Sequence, residues 1–339
     1  MPPPRIDLSV IIPTRNENHH LPALLEQLRQ QRGVTLEILV ADGGSQDGTL
    51  ATARAAGTRL VHAPTGRGAQ MNAAARIATG EDLLFLHADS GLADPDLLHG
   101  ALQAMRQARS RHGVRCAGHF PLRFVDRPPG HERIFRFFET KSALNRPGCC
   151  NGDQGLWLAG AYFLELGGFA EDLPFLEDQR LAPRIAATGH WLTLPGTLAT
   201  SARRFRQEGV MERSLLNALI LTALRADLLE FPRRAPAIYR DQERTGPLRL
   251  TPFFRLFRQL CQEGGNRATL RRWHAIGGFA RQSFWQVMLP LDLLEWHDRM
   301  ATRLDRCAGC FDLFWMGLSW LGFHLTWLWL VWRENRQKH

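Results

Sequence analysis

Residues 82–90 read Asp-Leu-Leu-Phe-Leu-His-Ala-Asp-Ser, a short apolar run that ends in an acidic tip. Two upstream stretches share that design. One is Leu8-Ser9-Val10-Ile11-Ile12-Pro13-Thr14-Arg15-Asn16-Glu17, the other Val40-Ala41-Asp42-Gly43-Gly44-Ser45. Continuous apolar runs bounded by turn residues and separated by helical patterns predict buried parallel strands of an α/β sheet. Polar residues at the carboxyl ends of such strands line the crevice where open sheets bind ligands. Here those ends carry Thr14/Asn16/Glu17, Asp42/Ser45/Asp47 and His87/Asp89, the outline of a nucleotide-and-metal site.

Working outward, strands are expected at 8–13, 36–41, 59–62 and 82–86. Leu21, Leu24, Leu25 and Leu28 recur at helical spacing before Gly33, and further helices are expected at 49–56, 69–78 and 95–109. This alternation over the first 110 residues sets the class as α/β. Beyond it the pattern predicts a strand at 117–124, a helix at 131–144, short helices at 157–166 and 177–187, and a strand at 191–194. A long apolar helix at 210–231 follows. Pro232, Pro236 and the polar stretch 240–250 predict a domain boundary near residue 239. Helical segments are expected at 252–262, 270–287 and 291–304, and Leu313–Trp332 holds twenty residues without a formal charge.

The chain has 339 residues, 45% hydrophobic and 22% charged, as in an ordinary globular protein. Its net charge of +9 is uneven. Residues 1–239 carry 27 Lys/Arg against 24 Asp/Glu, and residues 240–339 carry 15 against 9. That basic third suits anionic lipid or an acidic partner. No nucleic-acid-binding signature is present, so nucleic acid is not an expected partner. Among the six cysteines only Cys307-Ala308-Gly309-Cys310 has a pair spacing, without a second pair, and reduced thiols are the expectation. Met1-Pro2-Pro3-Pro4-Arg5 lacks a signal-peptide core, which predicts a cytoplasmic catalytic part. There is no G-x-G-x-x-G and no Walker Lys, which disfavours a Rossmann dehydrogenase or a P-loop enzyme.

Ser9–Glu17, Ala41–Thr49, Gly66-Arg67-Gly68-Ala69-Gln70-Met71-Asn72 and Phe85–Asp89 together resemble glycosyltransferase family 2. With Gly152-Asp153-Gln154, Glu177-Asp178 and Ser201-Ala202-Arg203-Arg204, the set is most similar to a bacterial branch associated with arsenosugar biosynthesis. The resemblance implies a GT-A fold over a domain of residues 1–239 and a nucleotide-sugar donor. It puts Pro13, Thr14, Glu17, Asp42, Arg67, Gly68, Asn72, Asp89 and Arg204 against that donor, with Asp42 accepting a hydrogen bond from the base. Asp89 ends the element the family writes as Asp-x-Asp and is the implied ligand of Mg²⁺ or Mn²⁺. His87 stands where the first acid belongs. Glu177-Asp178 matches the acidic pair of inverting members, with Asp178 as the base that takes the acceptor proton. Asp153 and Gln154 are candidates for contact with donor sugar or acceptor, and a structural turn explains them nearly as well.

Two alternatives remain from sequence. The incomplete Asp-x-Asp allows a non-catalytic nucleotide-sugar-binding protein. A nucleotidyltransferase shares the fold class but lacks its Gly-rich loop and cation after strand one. The segment 240–339 has no counterpart in the resemblance. Leu313–Trp332 is long enough to cross a bilayer, and Trp315, Trp320, Trp327, Trp329, Trp332, Arg333 and Arg336 are membrane-anchor residue types. It reads either as a membrane contact, with a lipid-linked acceptor, or as a packed helix, with a small soluble one.

Overall fold

A computed structural model describes residues 5–146, 148–242, 248–289 and 308–336. The chain divides into two compact units, 1–202 and 203–339.

The first unit runs β1 (Leu8–Thr14), α1 (Leu21–Arg29), β2 (Leu36–Asp42), α2 (Thr49–Ala55), β3 (Arg59–His62), α3 (Arg67–Ala75), β4 (Asp82–Phe85) and α4 (Leu97–His112). It continues β5 (Cys116–His119), β6 (Leu122–Val125), α5 (Glu132–Ser142), β7 (Leu156–Ala159), α6 (Gly160–Glu165), α7 (Glu177–Thr188), β8 (His190–Thr193) and β9 (Leu198–Ser201). Seven strands form one sheet in the order β3-β2-β1-β4-β7-β5-β8, and β6 pairs with β9 separately. The large sheet is mostly parallel; only β7 runs antiparallel to its neighbours β4 and β5. This is the helix-flanked α/β architecture expected from sequence.

Every residue of β1 and of β4 is buried, as parallel strands covered on both faces require. The helices lie against the sheet through Leu21, Leu24, Leu25 and Leu28 of α1 and through Leu98, Ala101 and Met105 of α4. Asp82 starts β4 inside the protein. Its carboxylate accepts hydrogen bonds from Trp157 Nε1 at 2.7 Å and Arg109 Nη2 at 2.6 Å. A buried charge needs such pairing, and here it ties β4, β7 and α4 together. The register sets Thr14 beside Asp42, so the tips of β1 and β2 are neighbours.

Two sequence expectations change here. Residues 157–166 are a strand followed by a short helix, not one helix. A four-residue buried strand has no periodicity that separates it from a helix turn. The strand expected at 117–124 is two strands in different sheets, broken at Phe120-Pro121.

The second unit contains α8 (Arg203–Glu208), α9 (Val210–Arg225), α10 (Glu230–Gln242), α11 (Thr251–Gln262), α12 (Gly265–Ser283), α13 (Trp285–Met288) and α14 (Ala308–Arg336). The expected helix 210–231 is split between α9 and α10, with Asp227 in left-handed backbone at φ 55°. The division at 202/203 differs from the boundary expected at 239/240, which falls inside α10. That helix runs through Pro236 because Phe231 and Ala235 are buried in one cluster with Leu216, Leu219, Phe253 and Phe257. Helices α9 and α10 therefore share a core with α11. The helix expected at 291–304 and Cys307 lie outside the described residues.

Candidate active site

The first unit gathers its polar residues at the carboxyl ends of β1, β2 and β4 and at the start of α7. Asp42 is 2% exposed and closes its own loop. Its carboxylate accepts from Gly44 N at 2.9 Å, Ser45 N at 3.0 Å, Ser45 Oγ at 2.5 Å and Thr14 Oγ1 at 3.3 Å. Burial alone would raise its pKa, but the bonds from Ser45, Gly44 and Thr14 outweigh burial and hold it below the usual carboxylate range. Pro13 and Thr14 are buried at the tip of β1. Glu17 follows in the turn, its N–H donating to Thr49 Oγ1 at 2.9 Å.

Helix α3 starts at Arg67, and its residues divide sharply by direction. Gln70 Nε2 donates to Thr14 O and Ala41 O, both at 2.8 Å, and clamps β1 to β2 just below their tips. Asn72 turns the other way. Its Nδ2 donates to Phe169 O at 2.9 Å and Glu171 Oε1 at 2.7 Å, while its Oδ1 accepts from Phe169 N at 2.9 Å. The expectation that Asn72 faces a nucleotide is therefore not met by its geometry: the amide fastens the 169–171 loop. Gly68 allows that loop to approach, because a Cβ there would lie 2.4 Å from Ala170 O.

Arg67 points toward the acidic pair. Its Nε lies 3.1 Å from Glu177 Oε1, and its Nη1 lies 3.4 Å from His87 Nε2. Glu177 is 1% exposed, and neither carboxylate oxygen has an aligned hydrogen-bond donor. Burial pushes its pKa up; Arg67 opposes that and the neighbouring Asp178 adds to it. Leu176, just before the pair, is in left-handed backbone at φ 74°. A bulky residue there is strained, at a cost of about 1–3 kcal/mol. It turns the chain so that Glu177 goes inward and Asp178 faces the 151–153 turn.

Asp178 Oδ2 accepts from Gly152 N at 2.8 Å and from Gln179 Nε2 at 3.1 Å. Gly152 sits between His87 and Asp178: a Cβ on it would be 3.1 Å from His87 Nε2 and 3.6 Å from Asp178 Oδ2. Asp153 comes next, with a buried, unpartnered Oδ1. Burial, then the carboxylates of Asp178 and Asp89, push its pKa up to about 7, with Arg67 opposing. Gln154 is wholly buried and structural, its Nε2 donating to Ser142 O at 2.7 Å and its Oε1 accepting from Asn151 N at 2.7 Å. Below the pair lies a cavity of about 30 Å³ lined by His87, Cys150, Gly152, Glu177, Asp178 and Trp191, among others.

The structure thus brings together Arg67, His87, Asp89, Asp153, Glu177 and Asp178. Asp42, Thr14 and Gly68 support the neighbouring loops. Arg204 belongs to the second unit, in α8, where it lies within electrostatic reach of the buried Arg213. Lys141 was passed over in the sequence, although it is one of two lysines in a chain rich in Arg. Burial lowers its pKa, while nearby Cys149 and Asp153 work to raise it.

Among the described residues no three His, Cys, Asp or Glu side chains stand close enough to hold a metal ion by themselves. The unpartnered Asp153 Oδ1, within electrostatic reach of Asp89, is nevertheless the type of group a hard cation satisfies. Mg²⁺ commonly takes one or two carboxylates and completes its shell with substrate phosphates and water, so a two-carboxylate set fits.

With the fold and site described, comparison with known proteins gives the class. Residues 9–151 match the family described as Glycosyl transferase family 2, and that part of the chain is a glycosyltransferase family 2 domain. A "PGL/p-HBAD biosynthesis glycosyltransferase" of Mycobacterium tuberculosis (strain ATCC 25177 / H37Ra) is 41% identical over 97 residues, which cover 26% of this chain and 38% of that protein. The Mycobacterium bovis counterpart matches equally. The chain thus spans little over a third of the length of these curated relatives. They are PGL/p-HBAD proteins and not members of the arsenosugar branch expected from sequence. Among solved structures, S. aureus TarS 1–349 in complex with UDP is 16% identical, covering 82% of this chain and 72% of that one, with a TM-score of 0.48. The mannosyltransferase PcManGT from Pyrobaculum calidifontis, in complex with GDP-Man and Mn²⁺, is 20% identical, covering 97% and 88%, with a TM-score of 0.46.

Proposed function

We propose that the chain is a glycosyltransferase that moves a sugar from a nucleotide diphosphate-sugar to an acceptor hydroxyl with inversion at the anomeric carbon. The observation that carries this reading is the setting of Asp178. Its carboxylate is fixed by Gly152 N–H and Gln179, next to Glu177 with its Arg67 partner, in a chain that carries a glycosyltransferase family 2 domain. A carboxylate held in place takes the acceptor proton as the acceptor oxygen attacks, and the nucleoside diphosphate leaves from the opposite face in a single displacement. Arg67 offsets negative charge on the departing diphosphate, as a guanidinium fork does well. Asp42, Thr14 and Glu17 shape the nucleotide end of the cleft. Asp89 and Asp153 would hold Mg²⁺ or Mn²⁺, which when bound neutralises the leaving group. The reaction takes place in the cytoplasm. Its acceptor is a small molecule or a lipid-linked one, the second suiting an enzyme at the membrane face.

Two measurements test the reading. Nucleotide-sugars are screened by thermal shift, where a donor that binds only the folded chain raises the melting temperature. Asp178→Asn is then assayed with the donor so found, and its turnover falls roughly 100-fold with little change in donor affinity. Loss of donor binding with unchanged turnover would make Asp178 a binding residue and remove the base. Donor binding without transfer or hydrolysis by the unaltered chain would leave a nucleotide-sugar-binding protein.

A further inference from the structure

The second unit carries a feature that glycosyl transfer does not use. Helix α14 lies along that unit over its whole length. Met316, Phe323 and Trp327 pack against the hydrophobic cluster, and Leu330 is 1% exposed within it. Phe323 stacks on Phe254 with ring centroids 5.1 Å apart. At Gly277 of α12 the two helices touch so closely that a Cβ would lie 2.5 Å from Met316 N. Both ends are fastened by polar contacts. Arg281 Nε donates to Asp312 Oδ1 at 2.9 Å, and Arg333 Nη2 to Glu212 Oε1 at 2.5 Å.

The opposite face is apolar and exposed. Phe314, Leu318, Leu321, Leu325, Leu328 and Trp332 follow one another at intervals of four and three residues, and each is 46–62% exposed. At 1.5 Å per residue this stripe is about 27 Å long. Trp320 and Trp329 flank it, also exposed. The exposed apolar area is on the order of 800 Å², above the ~300–600 Å² of the largest patch on a typical monomer. Nothing charged lies between Asp312 and Arg333.

A spacing of four and three also suits a helix partner, and the flanks decide between the two. A dimer seam in water is bordered by charged residues that set register and partner. Here the bordering positions are Trp315, Gly317, Gly322, His324, Trp329 and Val331, with no Lys, Arg, Asp or Glu among them. Instead, cations stand at the end and on the neighbouring helix. Arg336 stacks over Trp332 at 4.4 Å and Arg333 over Trp329 at 5.0 Å, while Arg267 and Arg271 are exposed on α12. Indoles beside guanidinium groups are the residues of a membrane–water interface. Crossing the bilayer is disfavoured, because α14 is packed on α12, which carries Arg267, Arg271, Arg272 and Arg281. Four cations at bilayer depth are costly.

We propose that α14 lies in the plane of an anionic membrane surface, burying the stripe Phe314–Trp332 in one leaflet without spanning it. The occupant of this face is lipid, not a second copy of the chain. The inference is independent of the transferase reading, since it needs neither donor nor turnover.

The full-length chain with a C-terminal tag is floated with sealed vesicles of phosphatidylcholine alone and of phosphatidylcholine with one-quarter phosphatidylglycerol. It should float with the anionic vesicles and at least ten-fold less with the neutral ones, and added salt should weaken but not abolish binding. External protease should remove the tag completely, because both ends of an in-plane helix stay outside. Leu321→Glu/Leu325→Glu should lose flotation at least ten-fold while keeping the wild-type circular dichroism. Three results would overturn the proposal: no flotation of the wild-type chain, a tag protected inside the vesicles, or a dimer by light scattering that ignores vesicles and is broken by the double substitution. The first two need no variant, so a folding failure of the double substitution leaves the test intact.

Discussion

Gly68→Ala separates two meanings of the Gly66–Asn72 segment. In the resemblance, Gly68 stands against the nucleotide-sugar donor. In the structure it lets α3 approach the chain at Ala170, where the added Cβ would stand 2.4 Å from a carbonyl oxygen and 3.4 Å from Glu177 Cβ. Ordinary carbon–oxygen contact is near 3.3 Å, so the loop or the helix must move by close to 1 Å. Neither is free to do so. The loop is fastened to Asn72 by three hydrogen bonds, and α3 is fastened to β1 and β2 by Gln70. Forcing an extra methyl into a packed site costs about 1–3 kcal/mol. For a unit near 200 residues that lowers the melting temperature by roughly 2–12 °C. Thermal unfolding of the ligand-free protein, followed by circular dichroism, reads the effect directly. An unchanged melting temperature, with donor affinity lowered, would refute the packing argument and return Gly68 to the ligand.

Two further perturbations follow from the buried charges. Glu177→Gln removes a carboxylate that is buried without an aligned donor, so the melting temperature should hold or rise, while the KM for donor should rise about ten-fold as Arg67 loses its anchor; wild-type kinetics in this variant would sever the link between the pair and the site. His119 is 1% exposed, and burial, partly offset by a hydrogen bond that its ring donates to the Ser142 backbone, pushes its pKa down to about 4. Below pH ~6.5 the unfolded chain takes up a proton that the folded chain refuses, so stability falls as pH drops from about 6.5 to about 4, by up to ~3 kcal/mol. Urea unfolding at several pH values checks this, and a His119→Gln variant should lose that part of the slope; an equal slope in both would assign the acid sensitivity elsewhere.

What the sequence made legible is what burial writes into composition. Strands β1 and β4 are buried throughout and β2 over Leu39–Asp42, so they read as largely apolar runs, and their polar tips follow. Strand β7 is buried over Trp157–Ala159, yet four residues between Gly155 and Gly160 carry no period. The split between α9 and α10 was hidden for a different reason. Apolar residues continue through it, and only the left-handed backbone at Asp227 breaks the helix.

Side-chain direction was the harder problem, and α3 shows why. Sequence places Arg67, Gly68, Gln70 and Asn72 in one motif, which invites one role for all. A helix turns about 100° per residue, so neighbours in a motif face different surroundings. Gln70 is spent on the strand carbonyls, Asn72 on the 169–171 loop, and Gly68 on making room for that loop. Arg67 alone of these reaches the acidic pair, across 110 residues of chain that no spacing rule could bridge. The same division applies at β2. The carboxylate of Asp42 already accepts three hydrogen bonds from its own loop and one from Thr14 of β1, close to the capacity of the group. A ligand base can be read there only through the loop that Asp42 holds, or by displacing one of its donors. The residues with capacity left over are those around Gly152: Asp153 with an unpartnered oxygen, Glu177 with one oxygen beyond its ion pair to Arg67, and Asp178 with one oxygen still open to an acceptor proton. Those unspent carboxylate oxygens stand together at the start of α7 and in the 151–153 turn, which is why the proposed base is placed there.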